Sequence, residues 1–231
     1  MKVIILASGK STRLLPLTKE TPQCLLRIKG KEILTHQLAH LKKAGMQDIL
    51  VVCGYLADKV ETFCKGIRVK TALNPFYDIS GLAMSLWVVK DELKHGFLMV
   101  YSDVVFDPAI IEGVMKHKGD IYLAIQKNRP REEAEKVIEE KGVLRRMTKK
   151  KVPEGNGEFV GIARFSEKGA KLLLDELHAV AKKNIAASLI EVIDTLIRKG
   201  ITVRAYDIKD ADYVDIDFPA DIKRAIDIFE F

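Results

Sequence analysis

Apolar and polar positions alternate along this chain in blocks rather than singly. Val3-Ile4-Ile5-Leu6 is a short run, rich in β-branched residues, that predicts a buried strand. Comparable runs recur at Ile49-Leu50-Val51-Val52-Cys53, Phe97-Leu98-Met99-Val100-Tyr101 and Ile121-Tyr122-Leu123-Ala124-Ile125. Helices are expected over residues 31–44, 57–65 and 82–93, and Gly45 closes the first. Val69-Lys70-Thr71-Ala72 predicts another strand, and Asn74-Pro75 the turn after it. This alternation predicts an α/β domain with a largely parallel sheet and right-handed crossovers.

The second half is less regular. Residues 131–140 read as a charged, exposed helix, and 142–165 as antiparallel strands around the turn at 153–157. Two helices follow, over 167–182 and 186–199, and Gly200 ends the second. A strand over 201–208 leads to Tyr213-Val214-Asp215-Ile216-Asp217 and a last helix from Pro219, with Asp221 in its first turn. Asp107, before Pro108, reads as a helix N-cap. With no linker or repeat, residues 1–231 are expected to form one domain.

Composition narrows the class. Apolar residues make up 48% and charged residues 30%, which excludes a disordered chain. No apolar run reaches the ~18–20 residues of a transmembrane helix, and the opening strand predicts no secretory leader. The three cysteines, Cys24, Cys53 and Cys64, lack metal-ligand spacing and read as reduced and buried, as expected in the cytoplasm. The net charge of +6 suits an anionic substrate. The densest basic stretch, Arg145 to Lys151, has no interleaved aromatic residue, so no nucleic acid is expected.

Candidate chemistry starts where the first strand ends. Ala7-Ser8-Gly9-Lys10-Ser11-Thr12-Arg13 is a glycine-bearing turn with two cations. Backbone N–H groups, hydroxyls, Lys10 and Arg13 suit a polyphosphate, and open α/β sheets bind ligands at this rim. The turn is neither a P-loop nor a dinucleotide fingerprint, both of which need further glycines. A long Pro-punctuated connection follows, too apolar for a flexible linker.

Residues 6–26, LASGKSTRLLPLTKETPQCLL, resemble the signature of the nucleotidyltransferases that act on sugar 1-phosphates and phospho-alcohols. The resemblance implies an α/β fold with a Rossmann-like, three-layer, mixed but mostly parallel sheet of the nucleotide-diphospho-sugar transferase type. It implies a nucleotide-binding half over about 1–110 and an acceptor-binding half over about 111–231. By the match, Leu6, Ala7, Ser8, Gly9 and Gln23 line the nucleotide, and Lys10 and Arg13 serve the reacting phosphates. One position departs: the family's Lys after the second Pro is Gln23, which donates a hydrogen bond but carries no charge. A catalytically impaired nucleotide-binding homologue is therefore the rival expectation.

Two acidic segments complete the pattern. Asp103 follows a predicted strand at the same rim, where Mg²⁺ would take one or two carboxylates plus phosphate oxygens. Alternation puts Asp215 and Asp217 on one face of their strand, where two carboxylates repel unless a cation intervenes. The family match makes Asp103 and Asp217 the Mg²⁺ ligands, with Asp215 in support. Residues 74–87 resemble the family segment along the base, which implies Gly81 and Ser85. Gly157-Glu158-Phe159-Val160-Gly161 resembles the acceptor strand of the phosphocholine cytidylyltransferase-like branch, which implies Glu158 for an acceptor hydroxyl.

The implied reaction joins an NTP, CTP by branch similarity, to a phosphorylated small alcohol or sugar 1-phosphate, and releases pyrophosphate. It needs no protein nucleophile, and none of the five histidines neighbours a candidate Ser or Cys. Choline fits poorly: a quaternary ammonium calls for an aromatic cage, and residues 171–200, where the resemblance implies part of that cage, carry no aromatic. A glycosyltransferase would match Asp215-Ile216-Asp217 as D-x-D but leaves the first turn unexplained. Oligomeric state is not legible.

Overall fold

A nine-stranded sheet forms the middle layer. The computed structural model describes residues 1–127, 130–150 and 152–229. Lys151, the end of the basic stretch, lies outside them. The first half follows the predicted alternation: β1 (Lys2–Ala7), a hairpin of β2 (Arg27–Ile28) and β3 (Lys31–Glu32), then α1 (Ile33–Lys43) and β4 (Ile49–Cys53). α2 (Ala57–Gly66), β5 (Lys70–Leu73), α3 (Leu82–Val88), β6 (Phe97–Tyr101), β7 (Val104–Phe106) and α4 (Pro108–Lys116) continue it. The Asp107 side chain accepts from Ala109 N at 2.8 Å, as an N-cap should.

The second half runs β8 (Ile121–Gln126), β9 (Lys136–Glu140), β10 (Val143–Thr148), β11 (Gly157–Phe165), α5 (Glu167–Lys183), α6 (Leu189–Arg198), β12 (Arg204–Asp207), β13 (Tyr213–Asp215) and α7 (Pro219–Ile228). The sheet order is β5-β4-β1-β6-β11-β8-β12-β10-β9, and β9 also pairs with β11. β5, β4, β1 and β6 are parallel, β11 runs antiparallel to β6, and β8 and β12 are parallel again.

Strand pleat sorts one sequence run into two cores. Val3 and Ile5 pack with Leu34, Leu38 and Leu41 of α1 and with Ile110 and Val114 of α4 on one face. Ile4 and Leu6 pack with Leu86 of α3, Leu173 of α5 and Ile193 of α6 on the other. A third, smaller cluster joins Leu14, Ile28, Ile33, Val105, Val214 and Ile216. Leu14 is fully buried there, a contribution of about 2 kcal/mol that pins the first loop over the strands β7 and β13.

Two expectations are corrected. Residues 131–140 are not an exposed helix: 136–140 form β9, with Val137 and Lys136 buried. Pairing on both sides, with β10 and β11, overrides the helix propensity of its Glu and Lys residues. β10 and β11 are likewise not a hairpin around 153–157, because β9 lies between them. The hairpin turn is Lys141-Gly142, with φ of 51° and 80°, which is the left-handed pair a two-residue turn demands.

Cys24, Cys53 and Cys64 are free and buried. Burial pushes the Cys53 thiol up to about 12 and the Cys64 thiol up to about 11, and raises Cys24 further. Almost no thiolate exists near neutral pH. The native protein should therefore take up no iodoacetamide at pH 8, whereas all three thiols should react after unfolding; mass spectrometry counts the adducts.

Candidate active site

The first loop is held by polar contacts rather than by its own secondary structure. β1 delivers Leu6 and Ala7, both buried, to the rim. The Leu6 carbonyl accepts from Ser102 N at 3.2 Å, so the ends of β1 and β6 meet. Ser8 is buried, and its hydroxyl bonds that of Ser85 at 2.7 Å, while Asn74 Nδ2 donates to Ser85 Oγ at 3.1 Å. A Cβ at Gly9 would meet no protein atom within 4 Å, so the fold itself does not demand glycine there. Ser11 sits at φ 49°, the left-handed region, and opens a single 3₁₀ turn, Thr12–Leu14. Leu14 points into the third core and leaves Arg13 outside, where it pairs with Asp217 and lies 5.3 Å from the Phe218 ring.

The carboxylates converge because β13 pairs antiparallel with β7, matching Asp215 to Val104. One further bond, Ile216 N to Asp103 O at 2.9 Å, brings the segment before Asp217 against the turn that carries Asp103. Gln37 of α1 braces that turn from below, donating to Tyr101 O at 2.8 Å and Val104 O at 2.7 Å. The Asp103 carboxyl is pushed upward, first by burial and then by the Asp217 charge. Burial and the charges of Asp103 and Asp217 also raise Asp215. Burial raises Asp217 too, against the pull of Arg13. Asp103 Oδ1 is buried with no hydrogen-bond partner. A buried acceptor beside repelling carboxylates is the electrostatic arrangement a divalent cation relieves. Among the described residues no three His, Cys, Asp or Glu side chains are grouped closely enough to hold an ion alone.

Asp103, Asp215, Asp217 and Arg13 line one cavity of about 210 Å³. A larger groove of about 550 Å³ lies between β10 and α6, lined by Arg145, Arg146 and Lys150, and contains none of these carboxylates.

Residues 3–195 match the MobA-like NTP transferase domain. The chain belongs to this family. The transferase is 26% identical to the CTP:phosphoglutamine cytidylyltransferase of Campylobacter jejuni, across 98% of this chain and 100% of that one. It is 33% identical to the choline-phosphate cytidylyltransferase of Streptococcus pneumoniae, over 46% of each chain. Its fold superposes on the inositol-1-phosphate CTP transferase from T. maritima with a TM-score of 0.82, at 23% identity and covering 95% of this chain and 90% of that one.

Not every expected residue of the transferase faces the cavity. Lys10 pairs with Asp78 and is not among the residues that line the cavity. Ser85 is fully buried and bonded to Ser8 and Asn74, so it braces the loop. A Cβ at Gly81 would lie 2.0 Å from Ala187 O, so packing against that segment, rather than a ligand, requires glycine. Gln23 is buried and bonded at both ends of its amide, to Ser11 and to the Ile216 carbonyl. Glu158, expected on the acceptor side, is 2% exposed and bonded to Arg131 and Tyr213.

Sequence reasoning missed Arg131, Glu135 and Lys149, which line the cavity. Burial raises the Glu135 carboxyl to about 7, against the Lys149 ammonium at 3.6 Å, and Tyr101 OH donates to it at 3.3 Å. Arg131 and Glu135 fell in the stretch read as a helix. Lys149 fell in the basic stretch set aside with nucleic acid. The Lys141-Gly142 hairpin signal would have recovered β9 but not the side chains that precede it.

Proposed function

We propose that this nucleotidyltransferase joins CTP to a small phosphorylated alcohol or sugar 1-phosphate. An acceptor phosphate oxygen attacks the α-phosphorus of CTP in line, the bond to the β-phosphate oxygen breaks, and pyrophosphate leaves. Catalysis is positioning and charge neutralisation, with no covalent enzyme intermediate.

The observation that carries this reading is the partnerless buried oxygen of Asp103, set against Asp215 and Asp217 beside the first loop. Asp103 and Asp217 would hold Mg²⁺, with Asp215 behind them. Bound there, the ion supplies Lewis-acid neutralisation of phosphate oxygens. The open space over Gly9 supports close approach of a triphosphate to the loop backbone from Leu6 to Gly9. Arg13 exchanges its Asp217 partner for phosphate, and Lys10 closes from the Asp78 side. Gly81 borders the base.

On the acceptor side, Arg131 and Lys149 hold the attacking phosphate, and Glu133 and Glu135 accept from hydroxyls. Arg131 already lies over the Tyr213 ring, 5.9 Å from its centroid, and a quaternary ammonium would meet that resident cation there. Residues 1–110 thus serve the nucleotide and 111–231 mainly the acceptor. The impaired-homologue reading is not favoured, because a chain relieved of catalysis would not keep an unsatisfied buried carboxylate.

A screen of CTP, UTP, GTP and dTTP against phosphorylated alcohols and sugar 1-phosphates, read by pyrophosphate release, tests the reading. Turnover is expected with CTP and is abolished by EDTA. Release with no pair, or release indifferent to EDTA, overturns it.

A further inference from the structure

Gln23 stands where a cation was expected, yet nothing about its surroundings resembles an empty phosphate site. It opens a 3₁₀ turn, Gln23–Leu25, right after Pro22, and is 9% exposed. Its Oε1 accepts from the Ser11 hydroxyl, and its Nε2 donates to the Ile216 carbonyl. The amide uses one acceptor and one donor, each matched by a group of opposite character.

The two ends of this bridge are the two halves of the site. Ser11 is the left-handed residue immediately before the turn that carries Arg13. Its carbonyl is held as well, by Leu14 N and Thr18 Oγ1, each at 3.0 Å. At the other end, the Ile216 carbonyl belongs to the peptide unit whose N–H is that of Asp217. That N–H donates to Asp221 Oδ2 at 3.0 Å. The peptide leading into Asp217 is therefore gripped at both polar ends, by Gln23 and by Asp221. Its neighbour on the other side, Ile216 N, is tied to Asp103.

We infer that Gln23 is a positioning residue, a neutral clamp that sets the Asp217 carboxylate against the Arg13 loop, and not a weakened phosphate ligand. The inference rests on the proposed transfer reaction for its catalytic consequence, though not for its geometry. An uncharged amide is the right group for this task. An ammonium at a site this buried would carry a desolvation cost and would have no hydrogen-bond acceptor for the Ser11 hydroxyl. A carboxylate would face the Ile216 carbonyl oxygen with no proton between them. Restoring the family's lysine should therefore impair this enzyme.

The test compares the wild-type protein with Gln23→Lys and Gln23→Glu. Each is read by kcat, by KM for CTP with Mg²⁺, by melting temperature, and by exchange of the Gln23 side-chain amide protons in ¹⁵N spectra. Misplacement of a reacting group predicts a fall in kcat on the order of tenfold or more in both variants, with KM nearly unchanged. Wild-type Gln23 amide protons should exchange slowly, and Ser11→Ala should speed them. A Gln23→Lys enzyme as fast as wild type, or faster, overturns the inference. If Gln23→Lys does not fold, Gln23→Glu decides, since it keeps size and shape; wild-type activity in that variant also overturns it. A wild-type protein inactive with every NTP sinks the transfer reaction instead, and slow amide exchange would still uphold the clamp. Fast exchange in the wild type overturns the clamp whatever the activity.

Discussion

Asp103→Asn should lower kcat by about a thousandfold, or ~4 kcal/mol in the barrier, while raising the melting temperature of the metal-free protein. The loss follows from the proposed Mg²⁺ role, because an amide oxygen binds a hard cation far more weakly than a carboxylate. The gain in stability follows from the free enzyme alone. Asp103 is raised from the ordinary 3.8 to about 6, with burial the largest cause and Asp217 the next. The folded state thus binds more protons than the unfolded state between those values. Stability contributed by this group falls as pH rises through that window and stays lost above it. Asparagine has no such term. The melting-temperature gap between variant and wild type should open between pH 4 and pH 6 in EDTA and remain at pH 8. Pyrophosphate release and thermal scans across pH check both signs. An active Asp103→Asn enzyme, or one less stable at pH 8, contradicts the site.

Glu158→Ala should go the other way in stability. The Glu158 side chain is 3% exposed and faces Arg131 Nε at 3.1 Å, with the Arg131 N–H and the Tyr213 hydroxyl on the same carboxylate. Its removal strands a largely buried guanidinium beside Asp215, a change worth about 3 kcal/mol. For a chain of this length that is a drop of roughly 6–12 °C in melting temperature. Urea unfolding and thermal scans read it. KM for the acceptor should rise as well, because Arg131 loses the group that orients it. A direct acceptor ligand would instead change KM with stability intact, and that result would support the role expected from sequence.

Where local and tertiary preferences agreed, the sequence was readable. β1, β4 and β6 are continuous apolar runs because parallel strands covered on both faces need them. The signature loop was legible as chemistry, since a glycine, two cations and two prolines in that order serve no ordinary turn. Residues 131–140 were misread because Glu and Lys favour a helix locally, whereas β9 exists through pairing with β10 across a tight turn and with the more distant β11. Side-chain roles were harder still. Ser85 and Glu158 have the right chemistry for ligands, and each is bonded to an internal partner that no spacing announces.

By itself the sequence determined the alternating α/β order, and it singled out the glycine turn with its two cations and the three acids as candidate chemistry. Those features are local, carried by runs of neighbours whose periodicity and chemistry can be read in place. Only the tertiary structure decided that β13 lies on β7 and so brings Asp217 to Asp103. It alone decided that Gln23 spans the two halves, and that Arg131 and Lys149 face the cavity. Such facts depend on which distant strands share a ladder and which buried donors find acceptors, and folding satisfies those conditions across the whole chain at once.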